Sequence, residues 1–247
     1  MNPVFAPESI AALASRFREP AYVVSDEARG GLGLAAGADP GRDVVAVLPP
    51  LFPEWLGDRS FGEAHGVRFP YVAGEMANGI ATAELVTAMA EADMLGFFGA
   101  AGLEVDRVER AVEKLAAALP GRGNWGVNFI HSPHSLQDEE RLVDMLLRRG
   151  VSRVSCSAFM ELTPAVVRLA ASGLHADASG RIRRRTHLFA KVSRPEVAEK
   201  FMSPAPAGVL DSLAAAGRLT AEEAALAARV PIAEDVTVEA DSGGHTV

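Results

Sequence analysis

The 247-residue chain is 49% hydrophobic and carries a formal charge of -8, so it has the apolar material for a sizeable core and lacks the basic surface that nucleic-acid phosphates require. Its one cysteine, Cys156, permits no internal disulfide and reads as core filling inside VSRVSCSAF rather than as a nucleophile. MLGFFGAAGL (94–103) is half the length of a membrane span, and MNPVFAPESI has no basic stretch ahead of an apolar one, so a cytoplasmic protein with no membrane or nucleic-acid partner is expected.

In chain order, a helix over 7–17 and two strand-like runs, AYVVS (21–25) and VVAVL (44–48), lie among glycine- and aspartate-rich loops ending in PPLFPEWLGD. Residues 1–66 read as a small N-terminal α+β cap. From Arg68 onward short apolar runs alternate with amphipathic helices, the rhythm of βα units. RFPYVAG (68–74) precedes a helix that Thr82 can cap. MLGFFG (94–99) precedes a helix with Val105, Val108, Val112, Leu115 and Leu119 on one face. NWGVNFI (124–130) leads to a helix opened by Ser135 with Asp138 and closed by Gly150. VSRVSCS (151–157) is followed by a helix begun by Thr163 and Pro164 and stopped at Gly173. After THLFAKV (186–192), a helical insertion over 194–231, with a capping box at Thr220 and Glu223, separates the fifth strand from the sixth, DVTVEA (235–240).

Six such units fit a doubly wound sheet or a barrel, and AGEMANGIA lacks the G-x-G-x-x-G turn of a dinucleotide fold. Polar and glycine residues gather after the strand ends: Glu75 and Asn78, Gly99 and Gly102, Asn128 and His131, Ser157, Lys191, and Glu239 through His245. Barrels place their chemistry there, so the expected class is α/β, an incomplete TIM (β/α)8 barrel of about six units, over residues 67–247. Lys191 has three readings: a desolvated Schiff-base nucleophile, a cation that holds an anion or polarises a flavin, or a side chain reaching into solvent. His131-x-x-His134 finds no third ligand at metal spacing and is read as bordering a substrate entrance, so no metal is expected. The arginines Arg181, Arg183, Arg184 and Arg185 read as a solvated loop or a landing patch for an acidic or phosphorylated partner. Gly243 and Gly244 permit close backbone approach to a ligand, and His245 beside them suits proton transfer near neutrality; a chance tail sequence is the alternative.

The stretches FPYVAGEMANGIATAELVTAMAEADMLGFFGAAGL (69–103), GNWGVNFIHSP (123–133) and IAEDVTVEADSGGHT (232–246) resemble the PfaD-type enoyl reductases of polyunsaturated fatty acid and trans-acyltransferase polyketide synthases. Those belong to the wider nitronate monooxygenase, or 2-nitropropane dioxygenase-like, group of FMN-dependent barrels. The resemblance covers nearly the whole chain. It implies a flavin seated over the backbone of Gly74, Met76, Ala77 and Asn78, contacts from Asn128 and Lys191, a loop formed by Glu239, Ser242, Gly243, Gly244 and His245, and His245 as the catalytic acid/base. It further implies hydride from NADPH or NADH through FMN to an enoyl thioester on an acyl carrier protein, whose acidic surface would meet the arginine cluster. Nitronate oxidation on the same flavin is the alternative enzyme reading, and a synthase-associated module without catalysis is another. Because six strands do not close an eight-stranded barrel and the family's loop continues past GGHT, the chain is expected to be a truncated product or one piece of a split protein.

Overall fold

The computed structural model describes residues 2–29, 31–41 and 43–239, and the chain folds as two units that divide between Arg59 and Ser60. In the first, α1 (Pro7–Ala14) accompanies an antiparallel sheet of β1 (Ala21–Asp26), β2 (Gly31–Ala36) and β3 (Val44–Leu48) in the order β2-β1-β3. Leu13, Leu34 and Ala36 form its core, with Ile10 and Val23 packed against them. Sequence reading passes over β2, GLGLAA, because its glycines dilute the β-branched signal that marks a strand.

The second unit begins one residue into α2 (Arg59–His65) and then alternates strand and helix. In order these are β4 (Val72–Gly74), α3 (Ala83–Glu91), β5 (Leu95–Phe98), α4 (Val105–Ala118), β6 (Trp125–Ile130), α5 (Leu136–Arg149), β7 (Arg153–Ser157) and α6 (Pro164–Ala171). A two-residue hairpin of β8 (His175–Ala176) and β9 (Ile182–Arg183) follows, then β10 (His187–Val192), the insertion helices α7 (Pro195–Phe201), α8 (Ala207–Ala215) and α9 (Ala221–Ala227), and β11 (Asp235–Val238). The expected strand over 68–74 is shortened to three residues. Pro70 has no N–H for the ladder, and the amides of Arg68 and Phe69 both turn to the Asp93 carbonyl.

Several helix signals act as the sequence implies. Thr82 accepts from Leu85 N at 3.2 Å, Thr163 from Val166 N at 3.3 Å, and Thr220 and Glu223 close a reciprocal capping box. Gly150 ends α5 in the left-handed conformation at φ 69°. Ser135 differs: its hydroxyl binds the Asp138 carboxylate and caps no backbone amide.

The six strands stand in the order β11-β10-β7-β6-β5-β4, and every neighbouring pair is parallel. Among the described residues the order never reverses, so these strands show no switch point of the kind that defines a doubly wound sheet. The sheet also curls. Three strand spacings separate β5 from β10, about 14 Å in a flat sheet, yet the rings of Phe97 and Phe189 meet edge to face with centroids 5.1 Å apart. The architecture is a mixed α/β fold with a six-stranded parallel half-barrel sheet.

Alternation along each strand sorts its side chains between two layers. Val127, Phe129, Val154, Cys156, Leu188 and Ala190 face the helices and share their core with Val86, Val112, Leu146 and Leu169. Leu95, Phe97 and Phe189 face inward with Val67 and Phe61. At the N-terminal strand ends, buried His65 contacts Asp235 at 3.0 Å, and Arg153 donates to the His65 carbonyl at 3.0 Å. This polar layer closes that end of the half barrel.

Cys156, 1% exposed, lies in the outer layer, and burial, with Glu75 and Glu139 nearby, pushes its thiol well above the ordinary range. A thiol-exchange reagent is expected to leave the native protein unmodified and to react fully once it is unfolded; prompt native-state labelling would contradict this placement. Among the described residues no helix is long and apolar enough to cross a membrane.

Candidate functional site

The inward positions change character toward the C-terminal strand ends. Below lie Phe97 and Phe189; above them come Asn128 on β6, Ser155 and Ser157 on β7, and Lys191 on β10. Each sits two residues from another inward position of its strand, so the same alternation that fills the outer core delivers polar groups to the interior.

Glu75, the residue after β4, joins them into one network. Ser155 Oγ donates to Glu75 Oε1 at 2.6 Å, and Asn128 Nδ2 lies 3.4 Å from Oε2. The same Asn128 amide donates to Ser157 Oγ at 2.7 Å and to the Ser155 carbonyl at 3.2 Å. Lys191 Nζ lies 3.9 Å from Glu75 Oε2 and 3.4 Å from Glu239 Oε2, with the three side chains only 12–17% exposed. Lys191 thus lies between two carboxylates rather than reaching into solvent.

The turn above β4 is rigid. Gly74 adopts φ 123° and Glu75 φ 65°, and an added Cβ on Gly74 would stand 2.1 Å from the Phe97 carbonyl oxygen. Glu75 N donates to that carbonyl, Asn78 N to Ala101 O at 2.7 Å and Gly79 N to Gly99 O at 2.9 Å. Among the described residues the Met76 and Ala77 amides have no hydrogen-bond partner, and the Met76 side chain is 48% exposed. The turn therefore carries two unpartnered backbone amides at the strand ends where Lys191 and the buried Asn128 amide also stand.

Gly74, Met76, Ala77, Asn78, Asn128, Lys191 and Glu239 thus all stand at one end of the half barrel, although the Asn78 N–H is already engaged by Ala101. Ser242, Gly243, Gly244 and His245 lie outside the described residues. Sequence reading noted Glu75 as a strand-end residue but did not assign it to the site, and it missed Ser155 and Glu139. For Ser155 a signal existed: it stands two residues before Ser157, on the same face of the strand.

His131, just past β6, directs Nδ1 to the buried carboxylate of Glu139 at 2.7 Å and packs against Phe159 in a tilted arrangement, with centroids 5.1 Å apart. Glu139 also accepts from Ser132 N at 2.7 Å and Thr163 Oγ1 at 3.2 Å.

The arginine cluster is not where a partner of this mouth would need it. It precedes β10, at the opposite end of a six-residue strand, about 20 Å from the polar network. Arg181, Arg183 and Arg185 are exposed, as a solvated loop would have them, but the segment is tied to its surroundings. Arg184, with its side chain 6% exposed, pairs with Glu234 at 3.3 Å, Arg185 donates to the Leu147 carbonyl at 2.6 Å, and Arg183 binds Asp177 at 2.7 Å. Asp177 also gathers Ser179 and the Arg181 amide, and these bonds hold its carboxyl well below the usual carboxylate range.

No protein-family model matches the chain. It is 47% identical over 227 residues to a component of the polyunsaturated fatty acid synthase of Thraustochytrium, a match covering 92% of this chain and 15% of that protein. With the polyketide biosynthesis protein PksE of Bacillus subtilis it shares 42% identity over 194 residues, 78% of this chain and 25% of the relative. Among solved structures, the enoyl reductase domain of MlnA from the macrolactin biosynthesis cluster of Bacillus amyloliquefaciens superposes with a TM-score of 0.73 at 35% identity, over 75% of this chain and 43% of that one. The chain therefore spans a quarter or less of these curated relatives and under half of the solved domain.

Proposed function

The chain belongs to the PfaD-like family of polyunsaturated fatty acid and polyketide synthase proteins, and from that premise we propose that it is the flavin-binding portion of an enoyl reductase acting on enoyl thioesters of an acyl carrier protein. The observation that carries this reading is the buried Glu75–Asn128–Lys191 network beside the unpartnered Met76 and Ala77 amides. The half barrel is taken as part of a (β/α)8 barrel, whose strand ends are where such folds hold their ligands.

These residues suit flavin mononucleotide. The unpartnered Met76 and Ala77 amides would hold the cofactor's acceptor atoms, Asn128, fixed by Ser155 and Ser157, would supply a side-chain amide, and Lys191, between Glu75 and Glu239, would supply a cationic group. When bound, the flavin supplies a two-electron hydride carrier that NADH or NADPH recharges. The aromatic layer of Phe97 and Phe189 beneath the network excludes water from the floor of the site. His245 is assigned the proton delivered to the substrate α-carbon, and the carrier protein is assigned to the mouth rather than to the arginine cluster.

The full chain, purified and offered FMN, is expected to retain the flavin and to oxidise NADH or NADPH in step with reduction of a 2-enoyl-pantetheine thioester. Flavin uptake with no enoyl reduction, but with oxygen-dependent consumption of an alkyl nitronate, would replace this reading with nitronate oxidation. Failure to take up FMN would favour a non-catalytic module.

A further inference from the structure

Resting on the enoyl-thioester reading, we infer that Arg107, backed by Arg110, receives the phosphate of the carrier's phosphopantetheine arm at the rim of the half barrel. Helix α4 follows β5 across a short loop, so its first turn stands at the same strand ends as the polar network. With Val108, Val112 and Leu115 buried, the remaining positions fall into two charged stripes: Asp106, Glu109 and Glu113, and Arg107, Arg110 and Lys114. The acidic stripe is engaged by α5, where Arg148 and Arg149 reach Glu109 at 2.8 and 2.6 Å and Arg149 also binds Glu113. The basic stripe is not used up in this way. Lys114 binds Glu84 of α3, but among the described residues the exposed side chains of Arg107 and Arg110 have no hydrogen-bond or ion-pair partner. Glu104 precedes the helix and Asp106 lies in its first turn, yet neither closes on Arg107.

Arg107 extends instead to the turn above β4. A Cβ added to Gly79 would stand 3.7 Å from Arg107 Nη2 and 3.5 Å from Leu103 Cδ1, so the missing side chain lets the guanidinium lie against this turn. Asn78 N and Gly79 N are spent on Ala101 O and Gly99 O, which pins the turn to the loop ahead of α4. Ile80, the next residue, is 65% exposed. An unpartnered guanidinium and an exposed branched alkyl group at one rim match one end of a phosphopantetheine arm, where the phosphate-bearing methylene adjoins a carbon carrying two methyl groups. Arginine suits that phosphate because its fork of N–H donors meets two oxygens at once. The arginine run before β10 offers no equivalent, since Arg184 and Arg185 are already bonded and stand at the far end of their strand.

The test uses the full chain and two saturated acyl thioesters that bind without reacting, one of phosphopantetheine and one of pantetheine. Wild type is expected to bind the phosphorylated thioester about fivefold more tightly at low salt, a preference that shrinks as salt is added. Arg107→Gln keeps a polar side chain over Gly79 and should erase most of that preference with an unchanged Tm, by weakening the phosphorylated thioester alone; adding Arg110→Gln should remove the rest. Arg229→Gln, which removes another exposed and unpartnered arginine, ahead of β11, should keep the preference. FMN and riboflavin separate out the flavin's own phosphate: their affinity ratio should be the same in wild type and Arg107→Gln. No preference in wild type, an equal preference in Arg107→Gln, an equal loss in Arg229→Gln, or a flavin ratio that falls in Arg107→Gln overturns the inference. These readouts need no turnover, so a protein that selects the phosphate through Arg107 yet reduces no enoyl thioester would sink the enoyl reductase reading and leave the contact standing.

Discussion

Gly74→Ala is expected to abolish flavin uptake and to cost about 2–6 kcal/mol of stability, the sum of a strained backbone and a forced steric clash. Two independent facts set this magnitude. Gly74 holds φ 123°, where a Cβ is strained, and that Cβ would stand 2.1 Å from Phe97 O and 2.9 Å from the Phe97 carbon and nitrogen. The obstruction is backbone of the neighbouring strand, so no side-chain rotation relieves it; β4 must separate from β5 or the turn must unfold. Urea denaturation of the purified variant checks the first effect and FMN titration the second. For a unit of this size each kcal/mol corresponds to roughly 2–4 °C in Tm, so a variant melting within 2 °C of wild type would mean that the turn is not built as described.

Glu75→Ala is the second large effect, expected at about 2–4 kcal/mol of stability together with loss of reductase activity. Alanine at φ 65° is no better tolerated than glutamate, so the substitution isolates what the carboxylate does. It accepts from Ser155 at 2.6 Å, meets Asn128 at 3.4 Å and lies 3.9 Å from Lys191, which would keep only Glu239. Glu75→Gln retains an acceptor for Ser155 and should cost less than half as much. A double-mutant cycle of Glu75→Ala with Ser155→Ala should show coupling of about 1 kcal/mol or more. Strict additivity would show that the short contact carries no energy, and the site would then need another organising residue.

What can be read before folding varies with the range of the interaction. Strands and helices after residue 93 are legible because strand alternation, Thr163-Pro164, the Thr220–Glu223 box and Gly150 act within a few residues of themselves. β4 reads too long because the obstruction depends on Asp93, far along the chain, capturing two amides. The arginine run reads as a solvated loop or a landing patch because nothing local reveals that Glu234 and the Leu147 carbonyl wait for Arg184 and Arg185.

Local patterning and family resemblance by themselves determined the βα succession, the polar character of the strand ends and the kinship with synthase enoyl reductases. Only the tertiary structure decided that Glu75 organises the site, that Glu139 holds His131, and that the arginines stand at the far end. The physical reason is curvature. Four strand spacings between β4 and β10 amount to about 19 Å in a flat sheet, and the curl reduces the gap between Glu75 and Lys191 to 3.9 Å; that closure belongs to the sheet as a whole and is written in no short stretch of the chain.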